Sequence, residues 1–236
     1  MAERPIIMSA PMVQAILAGR KSHTRRVIKP QPELNWKDVR PEPRGNCRWV
    51  WMVRTDFPEY SFATNDRKIH YQPGDLLWVR ETFWHARRYP GSLPSGESYG
   101  GAWACTNIHY AADGNPPNTP NRHYPNGLKG GYFSAPDPYA MWFKRPSIHM
   151  PKRFARLWLR VTAVRVERVQ DISCANAIAE GIPAAATYET IDCETPDPRH
   201  EYRQLWDSLN ARRGFGWDTN PWVAVVEFER VEKTNG

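Results

Sequence analysis

The sequence predicts an α+β fold, a small mixed β-barrel with peripheral helices, in a chain of 236 residues. Three observations predict it. Stretches with strand periodicity outnumber those with helical periodicity, and the connections between them are irregular. The 22 Pro and 15 Gly place many turns between short elements, which a doubly wound parallel sheet does not need. The closing third alternates apolar and polar residues cleanly enough to form sheet. We read residues 1–236 as a single domain with loop-rich insertions at about 30–70 and 84–147.

The elements follow in order. Pro5 to Met8 reads as a short strand, and Ser9 to Ala18 as a helix with Pro11 in its first turn and Gly19 at its end. Between 29 and 70, Pro, Arg and Trp mix without a sustained period, and only Arg48–Val53 and Tyr60-Ser61-Phe62 look like strands. Pro73-Gly74-Asp75 is a turn that opens a buried strand, Leu76 to Thr82. Trp84 to Ser147 is rich in Gly, Pro and Asn, yet it carries Trp103, Tyr110, Tyr124, Tyr132, Phe133, Tyr139, Trp142 and Phe143. So many aromatics argue for an ordered flap. Phe154 to Val169 is a long strand region with apolar side chains at Leu157, Leu159, Val161, Val164, Val166 and Val169. Ser173 caps a helix ending at Glu180-Gly181. A second helix, about Arg199 to Asn210, puts Tyr202, Leu205, Trp206 and Leu209 on one face, and Trp222 to Val231 closes the chain as a strand.

Composition narrows the function. A formal charge of +7 favours an anionic partner, although 25 acids are interspersed among the 32 bases. No apolar run reaches the roughly 18 residues of a membrane helix, and the first residues lack a signal peptide's apolar block. The expectation is a cytoplasmic protein that meets no membrane. Cys47, Cys105, Cys174 and Cys193 lack C-x-x-C spacing, so neither a zinc ribbon nor a disulfide framework is indicated. Cys105 and His109, with His123 or Cys47, are a weak metal set whose irregular spacing points to coincidence. No cofactor and no metal are expected, and the oligomeric state is open.

The most informative stretch is Ile16 to Arg26, where a helical apolar pattern stops at Gly19 and four cations and two hydroxyls follow within seven residues. A Lys near a hydroxyl on an anchored loop serves a phosphate contact, an activated nucleophile or a solvated cap.

Three stretches together resemble the ASCH domain of the PUA-like superfold. They are Ala18-Gly19-Arg20-Lys21-Ser22-His23-Thr24-Arg25-Arg26, Pro73-Gly74-Asp75-Leu76-Leu77-Trp78-Val79-Arg80-Glu81, and Gln170-Asp171-Ile172-Ser173 leading to Ala179-Glu180-Gly181-Ile182. With Ser147 to Pro151 and Trp217 to Val223, the chain is similar to the longer ASCH proteins encoded by phages and prophages. The resemblance implies a PUA-like barrel whose cleft holds a base, a nucleoside or a nucleic-acid end, RNA ahead of DNA. It also implies an amidohydrolase activity on N4-acetylcytidine-like substrates, with Lys21, Thr24 and Glu180 as the catalytic residues. The large insertions depart from the minimal family member and leave the substrate open.

The physical case for that triad is separate. Amide hydrolysis needs an activated oxygen nucleophile, a base for its proton and an acid for the leaving amine. A partly buried Lys21 loses its proton more readily, Thr24 or a water attacks, and Glu180 exchanges protons with the amine. The plain alternatives are a phosphate contact or surface cation for Lys21, a backbone cap for Thr24 and a solvated helix end for Glu180. Around them, Gly19, Arg20, Arg25, Arg26, Glu81 and Trp84 are candidates for binding substrate or nucleic acid. Glu81 competes as a catalytic carboxylate or pairs with Arg80 or Arg25. Trp84, with Phe83 and Trp78, offers a stacking face or core packing. His149 reads as structural. A non-catalytic RNA- or DNA-binding module and a ribonuclease remain alternatives to the amidohydrolase.

Overall fold

The computed structural model describes residues 2–31, 39–44, 48–53, 62–88, 107–183 and 197–232, with 39–44, 48–53 and 62–68 described as backbone only. The elements are β1 (Glu3–Ile7), α1 (Ala10–Leu17), β2 (His23–Val27), β3 (Val39–Arg44), β4 (Arg48–Val53), β5 (Phe62–Lys68), β6 (Leu76–Arg80), β7 (Phe83–Arg88), β8 (Ile108–Tyr110), β9 (Ala140–Arg145), β10 (Trp158–Arg168), α2 (Cys174–Ala179), α3 (Pro198–Asn210) and β11 (Trp222–Val231). The fold is α+β, with strands predominating. Among the described residues the sheets form no closed barrel, and no helix is long and apolar enough to cross a membrane.

Two compact units divide the chain, with boundaries inside β1, α1 and β6. The first comprises Met1–Arg4, Ala15–Leu77 and Trp158–Gly236. Its largest sheet has the order β1-β6-β10-β11-β2, and β3-β4-β5 form a separate antiparallel sheet. The pairing of β10 with β11 is antiparallel and long, from Trp158↔Val231 to Arg168↔Trp222. It contains one irregularity: Val161 faces Phe228 and Ala163 faces Glu227, so Thr162 has no residue opposite. This bulge explains a change of phase in the sequence, where buried positions run Leu159, Val161 and then Val166.

Beyond the bulge the two faces of β11 bury different clusters. Trp222 and Ala224 join Val166, Ile28 and Ile69 on one face. Val223 and Val225 join Val169, Ile172, Ala177, Ile182, Tyr202 and Trp206 on the other, under α2 and α3. Ser173 caps α2 as expected, its side chain accepting from the Asn176 N–H. Asp197 caps α3, and Pro198 occupies its first turn. Tyr202 and Trp206 are buried, but Leu209, expected on the same face, is 43% exposed. It lies in the last turn of α3, past the end of the apolar cluster that covers Trp206.

The second unit comprises Pro5–Gln14 and Trp78–Leu157. Its sheet, β8-β7-β9, is antiparallel and starts at Phe83, so the stretch expected as a flap begins inside a strand. Between β8 and β9, the stretch from 118 to 140 is held by asparagine side chains standing in for backbone. The Asn118 amide donates to Leu128 O, and its carbonyl accepts from the N–H groups of Leu128 and Ser134. Asn121 donates to the carbonyls of Ala135, Asp137 and Ala140 and accepts from the N–H groups of His123 and Tyr124. A loop rich in Pro cannot satisfy itself through a ladder, and these side chains satisfy it instead. Cys47, Tyr60, Ser61, Trp103, Cys105 and Cys193 lie outside the described residues.

Candidate functional site

The Gly19–His23 loop is built by the end of α1. Gly19 takes a left-handed φ of 71° and donates to Ile16 O, while Arg20 and Lys21 both donate to Ala15 O. The loop then joins the end of α2: Ser22 N donates to Ala179 O, and Lys21 and Glu180 form an isolated antiparallel bridge. Gly181 makes this approach possible. A Cβ there would stand 3.0 Å from the Ala15 Cβ and 3.3 Å from the Lys21 Cβ, at a φ of +98°. Local rules for ending two helices thus bring together segments about 160 residues apart.

Lys21 and Glu180 meet at full burial. The Lys21 Nζ donates to Glu180 Oε2, Glu180 O and His23 O, each at 2.7 Å, so its three N–H bonds are all used. Burial holds the Lys21 pKa below 10.5, opposed by the Glu180 carboxylate and reinforced by Arg26 and Arg25. The second Glu180 oxygen accepts from Arg25 Nη1 at 3.1 Å. Arg25 also donates from Nε and Nη2 to Glu167 Oε1, at 2.9 and 2.7 Å, and its guanidinium lies 5.8 Å from the Tyr202 ring centroid. Glu167 accepts from Arg165, and Arg165 reaches Glu227. Three cations, Lys21, Arg25 and Arg165, therefore alternate with three carboxylates, Glu180, Glu167 and Glu227. The row is electrically balanced, which is what makes its burial tolerable. At its far end the His23 pKa is lowered, by burial first and then by Arg165.

Thr24 does not join this row. It pairs with Val226 across the sheet, while Arg25 pairs with Val225. Successive side chains leave a strand on opposite faces, so Thr24 leaves on the face away from Arg25 and Glu180. Of the three residues expected to be catalytic, Lys21 and Glu180 are in contact and Thr24 faces the other way. The resemblance placed a hydroxyl at Thr24 by its motif, and a motif is silent on the phase of the strand.

The other candidates are scattered. Arg20 is exposed and donates from Nη1 to Gly181 O at 3.2 Å. Arg25, expected at a phosphate or a carboxylate, is buried against the carboxylates of Glu167 and Glu180. Glu81 is buried in the second unit and is paired with neither Arg80 nor Arg25. Arg156 grips it from Nε and Nη2, at 2.9 and 3.0 Å, and also holds Asp113. The same guanidinium sits 3.9 Å over the Tyr110 ring. Trp84 belongs to a core cluster, with Phe133 edge-on at 5.5 Å and the Lys144 Nζ 5.4 Å from its ring. Phe83 is fully buried and Trp78 half-buried, with the Arg80 guanidinium 5.5 Å from its ring. His149 is exposed. Among the described residues no three His, Cys, Asp or Glu side chains are placed to hold a metal; His109 and His123 are described, while Cys47 and Cys105 are not.

Arg26 opens on a different feature. A cleft of about 210 Å³ is lined by Arg26, Val27, Ile28, Lys29, Ile69, His70, Tyr71 and Ala224. Its floor is apolar, through Ile28, Ile69 and Ala224, and no carboxylate is among its lining residues. The Lys29 Nζ lies 4.7 Å from the Phe215 ring centroid. The Tyr71 pKa is raised by burial, against the pull of Arg26 and Arg4, so the phenol stays a hydrogen-bond donor. His70 and Tyr71 were not anticipated. Their signal was the Tyr-x-Pro-Gly approach to the 73–75 turn, which carries no chemistry by itself. Comparison with family models, curated proteins and solved structures gives no match.

Proposed function

We propose that this chain is an ASCH-type, PUA-like protein that binds a pyrimidine nucleoside or a nucleic-acid end, RNA ahead of DNA, in the Arg26–Lys29–His70–Tyr71 cleft. The observation that carries the reading is the lining of that cleft: two cations and a phenol around an apolar floor, with no carboxylate. Such a lining suits a ligand with a flat ring and an anionic group. The volume is below the roughly 300–1,000 Å³ of drug-sized sites, which favours one base over an oligonucleotide held whole. The junction of the Gly19–His23 loop with Glu180-Gly181 supports the family assignment, since two stretches quoted for it meet there. Barrel closure belongs to this proposal.

Calorimetric titration with cytidine 5′-monophosphate, and anisotropy with a single-stranded RNA at several salt concentrations, test the reading. Each phosphate contact contributes about −0.7 to the log–log salt slope on a single strand. Arg26→Ala and Lys29→Ala should each remove about one such contact. Variants that bind as tightly as the parent at every salt concentration would overturn the cleft assignment.

Hydrolysis of an acylated cytosine is the second reading, and the Lys21–Glu180 contact favours it. Burial lowers the Lys21 pKa, so its ammonium can hand a proton to the Glu180 carboxylate at 2.7 Å and, once neutral, take one from the attacking water, while Glu180 passes its proton to the leaving amine. Because Thr24 leaves the other face, water would be the nucleophile, with Lys21 as its base. The Lys21 side chain is 0% exposed, which puts binding ahead of catalysis. Incubation with N4-acetylcytidine, read by mass spectrometry, decides it. Cytidine and acetate should form with the parent chain and fail to form with Lys21→Arg, because a guanidinium keeps its proton.

A further inference from the structure

The loop between Asn121 and Ala140 contains a backbone conformation that its residue does not favour. Tyr139 sits at φ 67°, in the left-handed region that a glycine enters without strain. The surroundings force it there: Asn121 Nδ2 ties Ala135, Asp137 and Ala140 together, and Ala135 N closes the loop onto Ala140 O. A tyrosine at that position holds a ring at a fixed place. The Arg122 guanidinium lies over this ring at 5.8 Å, and His123 flanks it at 5.9 Å while meeting Tyr124 edge-on at 4.6 Å. Arg122 and His123 are exposed, as is Lys129, and Tyr132 is 62% exposed beside two left-handed glycines, Gly130 and Gly131.

We infer that this loop is a second nucleic-acid contact surface, shaped for a single strand. It rests on the nucleic-acid reading of the protein and uses different residues. A guanidinium backed by an aromatic ring presents its outer plane to a base and its edge to a phosphate. Tyr132 adds an exposed ring for a neighbouring base, and stacking of this kind tolerates any sequence. Because Asn121 fixes the loop before any ligand arrives, little ordering is left for binding to oppose.

The test uses the full chain, a fluorescein-labelled twelve-nucleotide oligo-U RNA read by anisotropy, and thermal unfolding of each variant. Tyr139→Gly removes the ring and relieves the backbone, so the melting temperature should hold or rise while affinity falls about tenfold. Arg122→Ala should weaken binding and lower the log–log salt slope by about 0.7, at unchanged melting temperature. A Tyr139→Gly chain that melts earlier yet binds as tightly would show the ring to be internal packing and overturn the inference. So would Arg122→Ala binding within twofold of the parent. Arg26→Ala separates the two sites: if it alone weakens binding, this surface fails and the cleft stands. If only the loop variants weaken binding, the surface stands and the cleft fails. A parent chain that binds no RNA overturns both.

Discussion

Each unit buries a carboxylate against arginine, and the two do so differently. In the first, Glu180 divides its oxygens between Lys21 and Arg25, both with fully buried side chains. In the second, Glu81 is buried, but its partner Arg156 is 23% exposed and Asp113 is 41% exposed. The Glu180 group has little access to water, so a lost partner leaves a charge with nothing to replace it. The Glu81 group opens to solvent at one end, where screening weakens every interaction. Similar residue types therefore serve as a keystone in one unit and as a clamp in the other.

The comparison breaks first at Lys21. Truncating one member of a buried pair strands the other, so Lys21→Ala should cost about 3–5 kcal/mol in urea unfolding. A cost under 1 kcal/mol would show the row to be hydrated. Arg156→Ala should cost less, about 2–3 kcal/mol, because it removes charge-assisted hydrogen bonds while leaving a path to solvent. Burial raises the Glu81 pKa above 4.5 against the pull of Arg156, so without Arg156 the carboxyl protonates more readily. The cost of Arg156→Ala should therefore shrink as pH falls, and a pH-independent cost would break the argument. Smallest of all, Asp113→Ala should change stability by about 0–1 kcal/mol, as for other exposed pairs.

A third measurement sharpens the contrast through pH. His85 is buried, its Nε2 accepting from Arg145 Nε at 3.1 Å. Burial, then Arg145 and Arg87, push its pKa down to about 4. The unfolded chain takes up this proton near 6.5 and the folded chain only near 4. Stability from this residue is thus complete above 6.5 and is lost as pH falls toward 4. His85→Gln keeps an acceptor for Arg145 and should flatten that part of the profile, measured by unfolding at several pH values. An unchanged slope would place the sensitivity elsewhere, His23 being the next candidate, since its pKa is lowered too.

What could be read from the sequence was local. Gly19 and Gly181 end helices where turn chemistry says they should, Ser173 caps α2, and β11 runs from Trp222 to Val231 as expected. Lys21 and Glu180 came together because each is anchored beside one of those glycines. Relations between strands were not legible. The face on which Thr24 leaves depends on the phase of β2 against β11. The partner of Glu81 is 75 residues away and reads from sequence as one of many arginines. The support from Asn118 and Asn121 was hidden for a similar reason, since an asparagine in a loop looks like an ordinary turn residue until its acceptors are known.

The bulge at Thr162 behaves like a frameshift written into a strand. Upstream of it, odd-numbered residues of β10 lie on the apolar face; downstream, even-numbered ones do. That single extra residue turns Arg165 and Glu167 toward Arg25 while Val166 joins the cluster of Ile28, Ile69, Trp222 and Ala224. Any one residue of the charged row can be exchanged and tested alone. The phase set by the bulge cannot: a regular ladder run through Thr162 would invert the remainder of β10, driving two charges into oil and two valines into the ion row, whereas deleting Thr162 would leave Val164 to Glu167 opposite their present partners. Along this strand, phase carries more structural information than identity.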